Sequence, residues 1–150
     1  MMRPLVPPPK AWRLRKSHYG LKGGRCKKCG LTFFPRGPRC PRCGSTEVED
    51  YPLPREATVE SYTLVYQVPE YMREQAPLAF ALLRLPDGTR LAAALTEVDP
   101  GSLRTGVRVE AVTRRVLVDG ETGIIAYGTK WRPARFASRA QPRGEPRRES

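Results

Sequence analysis

Apolar and polar residues alternate along most of the second half of the chain, in short runs separated by turn residues. The first run, ATVESYTLVYQV (57–68), shows this alternation and is rich in the β-branched and aromatic residues that suit strands, and four further runs between turn signals also read as strands: LAFALLRL (78–85), RLAAALTEV (90–98), VRVEAVTRRVLV (107–118) and IIAYGTKWRP (124–133). Between the second and third runs, the Asp87-Gly88 pair can supply the positive φ of a tight turn. The stretch PEYMREQAP (69–77) reads as a loop. The pattern therefore predicts five strands.

These five strands indicate a small closed β-barrel. They occupy residues 57–133 at short spacing, and no convincing helix lies between them. Their order, a long first strand, a hairpin and two more strands, fits the five-stranded OB-fold barrel. Closing the sheet would also remove exposed edges, which matters in a short chain. The predicted fold class is mainly β.

The two ends of the chain have a different composition. The first nine residues contain four prolines, and KAWRLRKSHYGLKGG (10–24) predicts a short helix that ends at Gly20 or at Gly23-Gly24. Trp12 and Tyr19 stand seven residues apart, which suits either an ordinary surface helix or a docking arm for another protein. The predicted divisions are an N-terminal arm with a short helix (1–23), a cysteine module (24–50) that leads into a linker, the OB-fold (56–133) and a disordered basic tail (134–150).

Four cysteines in two Cys-x-x-Cys-Gly knuckles give the sequence its most specific motif. GRCKKCG (24–30) and RCPRCG (39–44) leave ten residues between the knuckles. This spacing is typical of a rubredoxin-like zinc ribbon, in which each knuckle turns two thiolates toward one ion. The predicted metal ligands are Cys26, Cys29, Cys40 and Cys43. Basic residues beside the knuckles favour thiolate over thiol.

Two alternatives remain for the cysteines. Disulfides are disfavoured in the reducing compartment that we expect for this chain, while a rubredoxin-type iron centre uses similar knuckles and would indicate electron transfer. If the ion is zinc, a shell of four thiolates leaves no open position for water or substrate. The metal would then stabilise the fold, because about 20 residues cannot build an adequate apolar core.

The positive charge is unevenly distributed along the chain. The net charge is +12, which suggests a polyanionic partner. Residues 1–25 carry +7, 26–55 carry +3, 56–133 carry −1 and 134–150 carry +3. The predicted barrel is therefore almost neutral, and the excess belongs to the arm, the cysteine module and the tail.

The sequence offers no convincing set of catalytic residues. His18 is the only histidine, the four cysteines are assigned to a metal, and GLKGG lacks the strand context of a nucleotide-binding loop. We therefore expect no autonomous enzymatic activity.

No apolar run approaches the roughly 20 residues of a membrane span, and no signal-peptide core is evident, so we expect a cytoplasmic protein without membrane contact.

The combination of these motifs resembles a known family, the zinc-ribbon/OB-fold acyl-CoA-associated proteins, long catalogued as a domain of unknown function and found beside thiolases. The resemblance covers about residues 10–133 and rests on five stretches: YGLKGGRCKKCG, FFPRGPRCPRCGS, ATVESYTLVY, APLAFALLRLPDGTRL and GIIAYGTKWRP. It implies a non-catalytic scaffold that binds a thiolase-like acyltransferase, alone or together with a hydroxymethylglutaryl-CoA synthase. The resemblance also implies that the small protein helps to hold the CoA moiety.

The residues of the ribbon and arm are compatible with a CoA ligand. CoA carries phosphates and an adenine, which need a few fixed cations and a flat or apolar wall. The candidate CoA contacts are Lys22, Arg25, Lys28, Phe34, Arg36 and Arg39.

The alternative function is binding of single-stranded nucleic acid, which OB-folds often perform. A barrel with a charge of −1 makes that alternative less favourable, since such binding depends on neutralising phosphates.

Overall fold

A computed structural model of the protein describes residues 19–118 and 125–134, together with Pro9, Lys10, Trp12, Arg13 and Arg15. Within the first two ranges it contains eight strands and one 3-10 helix. The elements in chain order are β1 Lys22–Cys26, β2 Thr32–Phe33, β3 Val48–Pro52, β4 Glu56–Val65, the 3-10 helix Glu70–Gln75, β5 Leu78–Arg84, β6 Arg90–Ala94, β7 Arg108–Val118 and β8 Ile125–Pro133.

The first three strands form a small antiparallel sheet in the order β2-β1-β3, and this sheet carries the cysteine knuckles. Its centre is tightly packed at two glycines. A Cβ atom on Gly23 would lie 2.5 Å from the carbonyl oxygen of Phe33, and one on Gly24 would lie 2.9 Å from Cγ1 of Val48. The placement of a helix end at Gly23-Gly24 was therefore wrong, because these residues are the middle of β1, where only glycine lets the neighbouring strands approach.

The predicted N-terminal arm is described only in part. The five described residues between Pro9 and Arg15 have helical backbone. The rest of the segment before Tyr19, including His18, lies outside the described residues, as do 135–150 of the predicted tail. The helical arm and the disordered tail therefore stay predictions.

The last five strands form the second sheet, in the order β6-β5-β4-β7-β8, and all neighbours are antiparallel. The sheet curls until its two outer strands approach each other, where Leu95 forms a parallel bridge with Trp131. The N–H of Thr96 donates to the carbonyl oxygen of Trp131 at 2.7 Å. This topology confirms the five predicted strands and the OB-fold. Among the described residues the closure is limited to this bridge, so the sheet is closer to a half-barrel than to the closed barrel expected.

The segment between β4 and β5 differs from the predicted loop. It contains the 3-10 helix, which is anchored by Gln75: its side-chain amide donates to the Val116 carbonyl at 3.5 Å, and its Oε1 accepts from Lys130 at 3.0 Å. So short a helix needs no apolar periodicity, which explains why the sequence pattern did not indicate it. No helix among the described residues has the length and apolar character of a membrane span.

One apolar core joins the two sheets. It is centred on Trp131, which is 1% exposed, and on Leu83 and Val59 of the large sheet. Leu21 and Leu53 lie side by side at one end of the small sheet, where the Leu53 N–H donates to the Leu21 carbonyl at 3.0 Å, and both pack into the same cluster. Between the sheets, the hydroxyl groups of Thr32 and Thr89 lie 2.8 Å apart, which satisfies the buried Thr89. The core and this hydrogen bond fix the cysteine module against the barrel.

Candidate metal centre and its basic surroundings

The two knuckles have the same local conformation, although the residues between their paired cysteines differ. Their shared backbone hydrogen bonds run from Cys26 N–H to Leu31 O, from Gly30 N–H to Cys26 O, from Cys40 N–H to Ser45 O and from Gly44 N–H to Cys40 O, all between 2.9 and 3.0 Å. Gly30 and Gly44 have φ values of 73° and 71°, in the left-handed region that favours glycine. Each Cys-x-x-Cys-Gly run therefore forms a tight turn that points both sulfurs in one direction.

The four sulfur atoms converge on one point. All four lie within 4.8 Å of one another. The closest contacts join one knuckle to the other, at 3.6 Å between Cys26 and Cys43 and at 3.5 Å between Cys29 and Cys40. A disulfide bond is about 2.05 Å long, so the disulfide alternative is wrong for this structure. A tetrahedral zinc ion with bonds of about 2.3 Å would hold its sulfurs about 3.8 Å apart, so the cluster fits one ion with four thiolate ligands.

Backbone N–H groups prepare part of the cluster for a cation. The N–H of Cys43 donates to the Cys40 sulfur and lowers the pKa of Cys40 to about 6, and the N–H of Cys29 lowers the pKa of Cys26 in the same way. At Cys29, the N–H of Leu31 favours the thiolate, but burial and hydrogen bonds to the other sulfurs raise its pKa to about 11. Without a cation the sulfurs therefore share protons, and an arriving metal ion would displace them.

Burial of the cluster is one-sided. Cys26 and Cys40 are 1% and 2% exposed, while Cys29 is half-buried and Cys43 is exposed. The ion would thus rest against the ribbon sheet and have its other side close to solvent. Four sulfurs complete a tetrahedral shell, so the arrangement suits a metal that holds the fold together better than one that activates a substrate.

Two of the six candidate CoA contacts have structural roles within the ribbon. The Nε of Arg36 lies 2.6 Å from the Asp50 carboxylate, and its Nη2 donates to the Val48 carbonyl at 3.1 Å. Phe34 is half-buried and packs against the core. Both Asp50 and Val48 belong to β3, a strand that overlaps the stretch from which the sequence predicted a linker. The alternation in VEDYP was the available signal, but five residues are too few to separate a strand from a linker.

The other four candidates are not ion-paired with any described residue. Lys28 and Arg39 are exposed, and each directly precedes a cysteine of the close Cys29–Cys40 pair. The sulfur cluster therefore brings Lys28 and Arg39 to the same end of the ribbon. Lys22 and Arg25 lie farther along β1 with side chains on opposite faces, since strand residues three apart point in opposite directions. The Arg25 guanidinium lies 5.7 Å from the centre of the Tyr51 ring.

The barrel neutralises its own positive charge. Five of its arginines form ion pairs with barrel carboxylates: Arg84 and Arg90 with Glu60, Arg108 with Glu56 at 3.5 Å, Arg114 with Glu97 at 2.5 Å and Arg132 with Glu110 at 2.7 Å. The hydrogen bond to Glu110 also raises the pKa of Arg132. These pairs join residues that are distant in sequence. From the sequence alone, only the net charge of the barrel segment could be read, not the pairing. Free cations are thus concentrated near the cysteine cluster.

We predict that Cys40→Ser lowers the bound metal from one ion per chain to a small fraction of that value. The substitution removes the thiolate that the Cys43 N–H stabilises. Loss of metal should also lower the unfolding temperature, because binding free energy in such modules is folding free energy. Elemental analysis and calorimetry measure both effects, with the exposed Thr46→Ala in the same module as control. Full metal content in Cys40→Ser would contradict a four-sulfur site.

Comparison with known proteins agrees with this architecture. Residues 15–49 match the family model for the rubredoxin-like zinc ribbon domain of ChsH2, and residues 50–114 match that for the C-terminal OB-fold domain of ChsH2. A DUF35 domain-containing scaffold protein of Methanocaldococcus jannaschii is 38% identical over 83% of this chain and 89% of its own length.

Two further relatives carry names that refer to enzymes. The benzoylsuccinyl-CoA thiolase subunit BbsA of Thauera aromatica is 36% identical over 75% of each chain. Among solved structures, the Ltp2-ChsH2(DUF35) aldolase matches with a TM-score of 0.64 and 28% identity, over 87% of this chain and 98% of that one. Ribbon, barrel and sequence similarity together show that this chain belongs to the DUF35 family of scaffold proteins, with the zinc ribbon and OB-fold domains of ChsH2.

Proposed function

We propose that this protein is a non-catalytic subunit that binds a thiolase-like acyltransferase and helps to hold the CoA part of its substrate. In the fuller form of the proposal, a hydroxymethylglutaryl-CoA synthase joins the same assembly. The observation that carries the proposal is the separation of charge: cations without a described ion pair lie beside the sulfur cluster, and five of the barrel arginines are paired with barrel carboxylates. A compact phosphorylated ligand needs only such a local group of cations.

The names of the relatives support an enzyme partner. One is a subunit of a benzoylsuccinyl-CoA thiolase, and another belongs to an Ltp2-ChsH2(DUF35) aldolase. Both names associate a chain of this architecture with an enzyme, and the first refers to a CoA thioester. For the present chain, a scaffolding role agrees with a metal shell in which all four ligands come from the protein.

Zinc is the ion that we propose for the cluster. Four thiolates suit zinc or iron, and zinc is the ion of the ribbon domain that residues 15–49 match. The ligands would be Cys26, Cys29, Cys40 and Cys43, and the bound ion would supply structural stability without chemistry of its own. A colourless protein with one zinc per chain agrees with this role, whereas a coloured protein containing iron would favour electron transfer.

For CoA, we propose that some of the six candidates are direct contacts and that others are supporting residues. Lys28 and Arg39 are exposed beside the cluster and are available for phosphate groups. Arg25 is also exposed on β1, whereas Lys22 is half-buried and lies on the opposite face of that strand, so only one of these two can extend the same positive surface. Arg36 would act through its pair with Asp50, which fixes the loop before Arg39. Phe34 has half of its ring surface in the core, so it offers at most an edge or one face to an adenine.

Nucleic-acid binding is the second candidate, and one observation favours it. Tyr62 and Tyr66 are 38% and 69% exposed near the end of β4, where bases could stack on them. However, a single strand also needs a track of cations along the barrel, and five of the arginines there are engaged by carboxylates. Phosphate contacts would therefore require existing ion pairs to break.

We predict that the purified protein forms a stable complex with a thiolase-type enzyme from the same organism and binds CoA in that complex. Lys28→Gln combined with Arg39→Gln should weaken CoA binding by roughly tenfold, because two charge-assisted contacts are lost. Calorimetric titration with CoA measures the change in affinity. The matched control is Arg104→Gln, which replaces an exposed arginine of the barrel. Tight binding of a single-stranded oligonucleotide that collapses steeply with salt, without thiolase association, would contradict the proposal.

We also predict that Trp12→Ala weakens association with the thiolase-type enzyme and leaves the metal content unchanged. The Trp12 side chain is 67% exposed, and the Arg15 guanidinium lies 4.8 Å from its ring centre, so the pair offers a flat contact surface. Tyr66→Ala removes another highly exposed aromatic residue and serves as control. Equal affinity of Trp12→Ala and the unmodified chain would exclude the arm as an anchor.

A further inference from the structure

Strand β5 is apolar on both of its faces. Ala79, Ala81 and Leu83 point into the core and are buried. The alternate residues point outward, yet three of them are also apolar: Leu78, Phe80 and Leu82. A strand that has one face in water ordinarily carries polar residues on that face, whereas a continuous apolar run is typical of a strand covered on both sides. The described residues leave the outer face of β5 only partly covered, since Phe80 and Leu82 are 40% and 37% exposed.

The neighbouring strands extend this surface. Cross-strand partners in an antiparallel sheet share a face, so the registers place Ala94 of β6 beside Phe80 and Ala92 beside Leu82. On β4, Val65 lies beside Leu78, while the polar Thr63 and Ser61 beside Phe80 and Leu82 bound the surface on that side. The two alanines are small, which leaves the larger side chains of β5 standing above β6. We call this surface the apolar panel, and its members are Val65, Leu78, Phe80, Leu82, Ala92 and Ala94.

A row of arginines borders the apolar panel at one end. The registers align Arg108 of β7, Thr58 of β4, Arg84 of β5 and Arg90 of β6 across four strands that are neighbours in the sheet, all on the outer face. The three arginine side chains are 65%, 54% and 59% exposed. Arg84 and Arg90 share the single carboxylate of Glu60, and Arg108 pairs with Glu56, so the three arginines of this row keep a net charge of +1 after pairing. Arg84 and Arg108 also line a cleft of about 380 Å³ that can receive a side chain.

We infer that the apolar panel and the arginine row together form a docking surface for a protein that presents an apolar patch with carboxylates along one side. This inference rests on the proposed function, and the partner is the thiolase-type enzyme. The apolar centre would give affinity by losing water, and the arginine row at the rim would orient the partner through its carboxylates. The surface lies on the barrel, so it is separate from the candidate CoA contacts of the ribbon.

Charge and chemistry favour this occupant over two others. A second copy of the chain also carries +12 and would bring an identical arginine row to the contact, so self-association is opposed by repulsion. A single-stranded nucleic acid needs aromatic rings on which its bases stack, and Phe80 is the only aromatic member of the apolar panel. A protein surface that combines an apolar patch with carboxylates is complementary to both the apolar panel and the arginine row.

The test compares two double variants of the full, metal-loaded chain for binding to the purified thiolase-type enzyme. Phe80→Thr with Leu82→Thr removes the centre of the apolar panel, and threonine keeps the preference for a strand. Ile125→Thr with Tyr127→Thr is the matched control, since these β8 residues are 47% and 48% exposed and lie outside the apolar panel. We expect the dissociation constant to rise about tenfold or more for the first pair and to stay within about twofold for the control.

Two further measurements keep the result interpretable. Arg90→Gln should slow association and reduce its dependence on salt, as expected for a charge at the rim of an interface. If the panel variant does not fold, a photoreactive benzoylphenylalanine in place of the exposed Ala92 should crosslink to the enzyme and leave the sheet intact. Absence of that crosslink in a complex that does form would overturn the docking surface.

The outcomes separate this inference from the proposed function. Enzyme binding that is equally strong for the panel variant overturns the docking surface and leaves the scaffold function in place. If the unmodified chain does not bind the enzyme, both the docking surface and the scaffold function are rejected. If sedimentation shows a dimer that the panel substitutions convert to a monomer, or if the same substitutions abolish oligonucleotide binding, the surface has another occupant and the inference is wrong.

Discussion

The convergence of four sulfur atoms on one point is the constraint on which the ribbon depends. The two knuckles come from loops on either side of a ten-residue excursion, and the short contacts at 3.5 and 3.6 Å each join one knuckle to the other. Few apolar residues of this module are buried, and Leu21 and Leu53 are shared with the barrel core. Four thiolates without a cation would repel one another, so the bound ion replaces the core that so short a segment lacks.

The same constraint determines where function can reside. A shell filled by four protein ligands leaves no open position for a substrate, so the proposed role of the chain rests on its surfaces. Its ribbon keeps Lys28 and Arg39 free beside the cluster, while barrel arginines such as Arg132 are held by carboxylates. Because Leu21, Leu53 and the Thr32–Thr89 hydrogen bond fix the ribbon on the barrel, these surfaces keep a constant geometry. A fixed relation between two binding surfaces is what a scaffold requires.

Features with a local signal could be predicted from the sequence. Each knuckle is indicated by a Cys-x-x-Cys-Gly run, and each barrel strand by a short run of strand-forming or apolar residues between turn residues, so both were predicted correctly. Features that depend on pairing could not: β3 becomes a strand only through its register with β1, and the pair of Arg36 with Asp50 follows from that register. Likewise, the apolar run of β5 was read as a strand, but its partly exposed outer face appears only once the order of the sheet is known.

X-ray absorption at the metal edge tests the central claim most directly, because it reports the ligands of the ion in solution. A structural zinc ribbon predicts four sulfur neighbours at about 2.3 Å and no nitrogen or oxygen neighbour. The spectrum should also stay the same when CoA and the enzyme partner are added. Three sulfurs with one oxygen, or a ligand that exchanges when CoA binds, would contradict a purely structural metal and would place chemistry on this chain.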